Sequence, residues 1–374
     1  MTLDFLLLIF LLASTALSFL ALLLTIFNAV TIWRPDKKSE NGENDQGSVS
    51  ILVPMRNEER NILQLMENLS QVKDIGKYEV IIIDDGSTDK TRSLLEQEKE
   101  VLPQLQILDG KILPPDWLGK PHALEQLFKK STSEYLLFLD ADVRISPTAI
   151  EKSISMMESY SWDFISPYPR QIAQSFFERM IQPLLQWSWF ASVPLRLAAK
   201  YRIKSMAVAN GQFFLVKRAA LTKIAGFETI RDQVLDDIEL ARQLWRSGAR
   251  GSVVEGSDLA ECRMYQSRNE LIAGYSKSLW SAFGSPFGAA VAASLLLLTS
   301  WGVLLAALFI SPLGWLAFFA ISASRLIAAR STKSFWQGFL LHPISVMILI
   351  FILLRSFYLK RRGELTWRDR VLTR

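Results

Sequence analysis

The chain has 374 residues, of which 50% are hydrophobic and 21% charged. That balance excludes a disordered chain and carries less charge than an ordinary soluble domain. A single cysteine, Cys262, and two histidines, His122 and His342, exclude an intrachain disulfide and a His/Cys zinc cluster.

The net charge of +5 sits at one end of the chain, where Arg355, Lys360, Arg361, Arg362, Arg368, Arg370 and Arg374 face only Glu364 and Asp369. A basic tail beside an apolar segment suits an anionic membrane surface. No basic patch interleaved with aromatics occurs elsewhere, so no nucleic-acid partner is expected.

In chain order, Phe5 to Trp33 contains no charge. The run exceeds the roughly 20 apolar residues that span a bilayer. It is too long for a signal-peptide core, and Asp4 replaces the usual basic n-region, so residues 1–33 read as an uncleaved anchor. Residues 34–47 are polar and read as a linker. Arg34, Lys37 and Lys38 follow the first span, which predicts that its C-terminal end and the next domain face the cytoplasm.

Strands and helices then alternate. Ser48–Pro54 reads as a strand with a helix from about Glu58; Tyr78–Asp84 as a strand with a helix from about Thr88. Leu105–Leu108 reads as a short strand, and Tyr135–Asp140 as a strand with a helix after Pro147. This order predicts an α/β domain with a mostly parallel sheet and helices on both faces. Ligands of such sheets bind beyond the carboxyl ends of the strands, where Pro54, Asp84-Asp85 and Asp140-Ala141-Asp142 fall. Neither Gly-x-Gly-x-x-Gly nor a Walker A motif is present, so acids and a metal are expected in place of a glycine cradle.

Each acid has an ordinary reading beside the chemical one. Asp140-x-Asp142 suits a hard divalent ion bridging phosphates, yet aspartate is common at strand-end turns. Asp85 suits a base or ribose contact, whereas Ser87, Thr88 and Asp89 are explained by helix capping. Arg56 and Glu58 open either a polar helix start or a nucleoside contact in which Arg56 stacks on the base. Lys120, placed in a loop before a helix, is either solvated or meets a diphosphate. Asp236 and Asp237 open a helix, where acids favour the dipole; one of them suits a general base. Arg263, Arg268 and Lys277 suit a departing diphosphate or a membrane surface. The aromatic segment 171–202 reads as a membrane-interfacial helix, with a core helix pair as the alternative.

Beyond Ser278 the chain is uncharged to Ser324, enough for two spans turning at Ser311-Pro312-Leu313-Gly314. The apolar stretch from Phe335 to Leu354 has basic flanks on both sides. That predicts a re-entrant or interfacial helix broken near Pro343 rather than a span.

Taken together, Pro54-Met55-Arg56-Asn57-Glu58, Asp84-Asp85-Gly86-Ser87, Gly119-Lys120, Asp140-Ala141-Asp142, Asn210-Gly211-Gln212, Gly226-Phe227 and Asp236-Asp237 resemble, in that order, the family 2 glycosyltransferases. The stretch from Arg263 through Lys277 and the ending Thr366-Trp367-Arg368-Asp369-Arg370 are similar to its membrane subgroup of 4,4′-diaponeurosporenoate and hopanoid-associated glycosyltransferases. The resemblance covers about residues 48–285. It implies a GT-A fold, Rossmann-like, between an N-terminal transmembrane helix and C-terminal membrane helices at 286–359, with a basic cytoplasmic tail at 360–374.

The resemblance also implies an inverting transfer of a hexose from a UDP-sugar to a membrane lipid, with Mg2+ or Mn2+ as cofactor. Carried over, Pro54, Arg56, Glu58, Asp85, Lys120 and Asp140 would bind the nucleotide-sugar, Asp142 the metal, and Asp237 would be the base. Arg263 and Lys277 would be candidates for the diphosphate. The usual Glu-Asp pair is Asp236-Asp237 here, which keeps the second acid. The Gln-x-x-Arg-Trp motif of polymerising members is missing. A terpenoid acceptor is expected; a polyprenyl phosphate or diacylglycerol is the alternative, and a non-catalytic nucleotide-sugar-binding membrane subunit is the rival outside enzymes.

Overall fold

The computed structural model describes residues 3–35, 47–73, 75–367 and 370–372. Lys37 and Lys38, nearly all of the 34–47 linker, and Arg368, Asp369 and Arg374 of the basic tail lie outside the described residues. The chain divides into two compact units, one from Trp33–Arg170 and Leu197–Met264, the other from Met1–Ile32, Gln171–Arg196 and Tyr265–Arg374. We call them the α/β unit and the helical unit.

Among the described residues, ten strands precede the helical C-terminal region: β1 Val49–Met55, β2 Tyr78–Asp84, β3 Leu105–Asp109, β4 Tyr135–Leu139, β5 Val143–Ile145, β6 Phe164–Tyr168, β7 Arg170–Gln171, β8 Phe213–Lys217, β9 Gly251–Glu255 and β10 Ala260–Cys262. Helices up to there are α1 Leu3–Thr31, α2 Ile62–Ser70, α3 Thr91–Gln97, α4 Gly119–Lys130, α5 Ala149–Ser159, α6 Phe176–Ser192, α7 Leu195–Tyr201, α8 Arg218–Lys223 and α9 Asp236–Arg246. The main sheet runs β3-β2-β1-β4-β8-β6-β9. The first four are parallel, β8 is antiparallel to β4 and β6, and β6 and β9 are parallel.

The strands read as continuous apolar runs because both faces of this sheet are covered. Val49, Ile51, Val53 and Met55 of β1 point into one core with Ile62, Leu65 and Leu69 of α2 and Ile150 and Ile154 of α5. Leu52 points the other way, toward Leu124 and Leu127 of α4 and Leu240 and Leu244 of α9. The two-residue period of the strand sends alternate side chains to opposite cores.

Register brings the functional ends together. Met55 lies beside Asp84, and Asp84 beside Asp109, so β1, β2 and β3 end at one edge. Because β8 is antiparallel, its first residue, Phe213, lies beside Leu139, the last residue of β4. The Asn210-Gly211-Gln212 turn before β8 therefore reaches the same edge, and Gln212 O accepts from Asp140 N–H at 3.1 Å. The expected helix starts at Glu58 and Thr88 fall a few residues later, at Ile62 and Thr91, because the intervening residues form hydrogen-bonded turns. Gly119 and Lys120 do not form a loop: they are the first residues of α4.

In the helical unit, α1 and α6 are followed by α10 Arg268–Ala282, α11 Pro286–Leu297, α12 Val303–Phe309, α13 Leu313–Ser331 and α14 His342–Arg362. Among the described residues, four helices are long and apolar enough to cross a membrane: Asp4–Thr31, Pro286–Phe309, Leu313–Ser331 and Phe339–Arg362. The second of these contains one π-helical turn, Leu298–Gly302. The break expected near Pro343 is absent. Pro343 lies in the first turn of α14, where its missing N–H costs nothing, and the helix continues to Arg362 before Gly363 ends it in the left-handed region at φ 69°.

Segment 171–202 forms α6 and α7. Met180, Ile181, Leu184, Trp187 and Phe190 of α6 are buried, which favours the core-helix alternative for α6 over an interfacial helix. Asn28 of α1 ties down its end. The Asn28 amide nitrogen donates to Phe190 O and Val193 O at 2.8 and 2.7 Å, satisfying carbonyls left open at the helix terminus.

Candidate active site

The loops after β1, β2 and β4, the turn before β8 and the starts of α4 and α9 meet at the edge of the sheet. The loops after β1 and β2 are laced together. Asn57 sits in the left-handed region at φ 54°, its N–H donating to Ser87 Oγ at 2.9 Å while its Oδ1 accepts from Thr88 N–H at 2.8 Å. Arg56 crosses between the loops, one guanidinium nitrogen donating to the carbonyls of Asp85 and Gly86 at 2.7 and 2.6 Å. Glu58 accepts from the Asn61 amide at 2.7 Å, and its N–H donates to Thr91 Oγ1 at 2.8 Å. Asp85 is buried at the end of β2, its N–H bonded to Met55 O at 2.8 Å. Gly110 is needed beside it: a Cβ there would stand 2.9 Å from Asp85 Cα.

The acids after β4 and at α9 crowd one another. Lys120 Nζ is 2.8 Å from Asp140 Oδ1 and 4.0 Å from Asp236 Oδ2. Burial opposes the charge on Lys120, but the carboxylates of Asp140 and Asp236 outweigh it and push its pKa up. Asp237 Oδ2 accepts from Gly211 N–H, and its Oδ1 from Ile238 N–H, each at 2.8 Å. Burial first, then the neighbouring Asp236, push the Asp237 carboxyl up to about 6, against the pull of Lys120 and the two amides. Gly211 is required by close approach, since a Cβ would lie 3.2 Å from Asp237 Cβ and 3.5 Å from Lys120 Nζ. Pro54, Asp140, Gly211, Asp236 and Asp237 line one cleft.

Asp142 differs from the rest. Its Oδ1 is buried with no hydrogen-bond partner among the described residues. Burial, then Asp140, raise its pKa, while a hydrogen bond from Cys262 lowers it. Cys262 Sγ in turn accepts from Gln212 Nε2 at 3.0 Å. Tyr168 closes this side; burial, then the charges of Cys262 and Asp237, keep its phenol protonated. Among the described residues no cluster of three or more His, Cys, Asp or Glu is present that could cage a metal by itself.

The structure thus brings Pro54, Asp140, Asp142, Lys120 and Asp237 to one edge, with Arg56, Glu58 and Asp85 in the adjoining loops. Arg263 directly follows β10, next to Cys262. Lys277 belongs to the helical unit, where its ammonium lies 3.2 Å from the centre of the Trp367 ring. Sequence reasoning left Cys262 and Tyr168 without a role and Gly211 and Gln212 as motif residues only. The antiparallel entry of β8 would have revealed the last two, but strand direction is not written in the hydrophobic pattern.

Residues 50–225 match the family model described as glycosyl transferase family 2. The 4,4'-diaponeurosporenoate glycosyltransferase of Staphylococcus haemolyticus is 26% identical over 278 residues, 71% of this chain and 69% of that one. The beta-monoglucosyldiacylglycerol synthase of a Nostoc species is 29% identical over 208 residues, 53% of this chain and 42% of its own length. The chain thus spans about two thirds of the first relative and less than half of the second. Among solved structures, a mannosyltransferase from Pyrobaculum calidifontis in complex with GDP-Man and Mn2+ superposes with a TM-score of 0.59 at 18% identity, covering 94% of this chain and 99% of that one. The α/β unit has the GT-A fold, and residues 50–225 are a family 2 glycosyltransferase domain.

Proposed function

We propose that this glycosyltransferase moves a hexose, glucose by preference, from a UDP-sugar to a membrane lipid with inversion, at the cytoplasmic face. The observation that carries the reading is Asp237: a half-buried carboxylate at the ligand edge of the sheet, held by two backbone N–H groups, with its pKa pushed up to about 6. The Staphylococcus relative, named for 4,4'-diaponeurosporenoate, favours a carotenoid-acid acceptor. The Nostoc relative favours diacylglycerol as the second reading.

Asp142 and Asp140 suit Mg2+ or Mn2+. The unpartnered, buried Oδ1 of Asp142 is a ready oxygen ligand, and such ions are held by one or two carboxylates plus substrate phosphates rather than by a protein cage. When bound, the ion neutralises charge on the donor diphosphate. Arg56, Glu58 and Asp85 hold the nucleoside, with Arg56 also fixing the loop that receives it. Lys120 adds a positive charge beside Asp140, on the diphosphate side. Arg263, directly after β10 and next to Cys262, is the further candidate for the diphosphate.

The chemistry is a single displacement. The acceptor oxygen bonds to the anomeric carbon as the bond from that carbon to the diphosphate oxygen breaks; a hydroxyl acceptor gives its proton to Asp237, whereas a carboxylic acid arrives already ionised and Asp237 orients it. Glu239 is turned away into pairs with Arg242 and Arg246 at 3.3 and 3.0 Å, leaving Asp237 as the base of α9.

We read residues 1–33 and 286–359 as the membrane parts and 48–285 as the transferase domain. Arg34 at the end of the first span supports a cytoplasmic site. Tritiated UDP-glucose, Mn2+ and vesicles containing total lipid test the activity: the full chain should move label into the organic phase, and Asp237→Asn should do so more slowly. Absence of organic label with every UDP-hexose and lipid extract would overturn the reading. Protease outside intact spheroplasts should spare residues 48–277, and cleavage there would reverse the orientation.

A further inference from the structure

The helical unit contains a cation that nothing in the glycosyl transfer requires. Arg325 lies within α13, six residues from its end, and is only 2% exposed. By helical rise that is ~9 Å inside the helix terminus. Among the described residues no charged side chain is found to act on it. Its hydrogen bond runs from a guanidinium nitrogen to His342 Nδ1, at 3.2 Å.

That bond fixes the proton inventory. A guanidinium only donates, so His342 Nδ1 accepts and the ring proton sits on Nε2. Nε2 is buried and has no partner among the described residues. His342 is fully buried and opens α14, whose first N–H groups and dipole add to the positive end. Trp187 of α6 walls the place, its ring centre 5.0 Å from that of His342 and 5.8 Å from Arg325 Cζ. The Trp187 N–H is already used on Ser324 Oγ at 2.7 Å, so Trp187 supplies a surface and no donor. One buried guanidinium, one buried imidazole N–H and a helix N-terminus all present donors, and no acid answers them.

A charge inside a membrane-spanning segment is costly unless paired, and such residues mark ligand sites. We propose that Arg325, His342 and the start of α14 hold the anionic head, a phosphate or carboxylate, of a membrane lipid. The planar guanidinium matches either group with paired hydrogen bonds. Arg330 in the last turn of α13 and Lys333 just beyond it add positive charge at that end of the helix. The site is independent of which sugar or acceptor the α/β unit uses.

The test uses the full chain in a neutral detergent, with phosphatidylglycerol, phosphatidylcholine of the same acyl chains, and inorganic phosphate as probes. Native mass spectrometry should show phosphatidylglycerol retained over phosphatidylcholine. Arg325→Met should weaken that preference about tenfold, as expected for loss of a charge-assisted hydrogen bond. Without lipid, Arg325→Met should melt no lower than wild type, because it removes an unpaired buried charge. Phosphatidylglycerol should raise the melting temperature of wild type alone. UDP binding by calorimetry should be unchanged, which separates this outcome from failure of the transferase reading. Should Arg325→Met not fold, Arg325→Lys decides, since it keeps the charge without the planar fork and should lose part of the preference. The same lipid preference in the variant as in wild type, or an equal melting loss with and without phosphatidylglycerol, would overturn the proposal. So would stabilisation by inorganic phosphate alone, which would make the ligand a free anion.

Discussion

Along one sheet edge, the loops after β1 and β2 have their polar groups paired with each other, whereas the acids after β4 and at α9 are packed against like charges. Asn57, Ser87, Thr88, Thr91 and Arg56 join the first two loops through neutral or charge-assisted hydrogen bonds. Asp140, Asp236 and Asp237 gather around Lys120, whose charge also reaches Asp142, and the carboxyls of Asp142 and Asp237 are pushed up. The first half has the construction of a receptor and the second the tension of a reactive centre, because desolvated carboxylates gain most from an incoming cation or proton.

The sharpest way to break this contrast is Asp237→Asn. With a hydroxyl acceptor, turnover should fall roughly 10²–10⁴-fold, the usual worth of a general base. With a carboxylic-acid acceptor the loss should be smaller, since that acceptor is already ionised near pH 7. Asp236→Asn should retain most turnover; the reverse ranking would move the base by one residue.

Asp142→Asn should have the next largest effect. Calorimetry should show UDP binding with Mn2+ reduced by about tenfold or more, the cost of one lost ionic ligand, while metal-free binding stays as it was. Unchanged metal-dependent binding would leave the buried Oδ1 without its proposed use.

The pH profile refines the same point. Asp237 must be ionised to act, so turnover should rise with pH and level off above about 6. Stability runs the opposite way. A carboxyl raised from 3.8 to about 6 binds more protons folded than unfolded in that window, so its contribution to stability falls as pH rises through it. Asp237→Asn should remove that component of the pH dependence of melting.

The parallel half of this site was legible because it follows from local pattern. YEVIIID ends in Asp84 and YLLFLD in Asp140, and a buried parallel strand places its terminal acid at the ligand edge by topology alone. Asp237 was legible as a helix opener within a familiar order of motifs. The Cys262–Gln212 contact was not, because it joins residues 50 apart in sequence through an antiparallel strand whose direction no periodicity encodes. Lys120 was misplaced into a loop because Gly119 and Pro121 look like breakers, yet proline is well tolerated in a first helical turn. The break at Pro343 failed for the same reason.

Arg56→Met should give the smallest effect and tests the receptor half. It removes two hydrogen bonds from a charged donor to the Asp85 and Gly86 carbonyls, at 2.7 and 2.6 Å. Such bonds are worth about 1.5–3 kcal/mol where desolvated, but the Gly86 end is exposed to solvent, which screens it. The loops also keep the Asn57 bonds to Ser87 and Thr88, so the variant should stay folded. What it loses is preorganisation of the Asp85 loop, and ordering that loop anew must be charged to UDP binding. Donor KM should rise several-fold with kcat within about twofold, since uniform binding is lost without touching the transition state. A fall in kcat with KM unchanged would mean that Arg56 meets the reacting groups, and the division between a paired receptor and a crowded reactive centre would then be drawn in the wrong place.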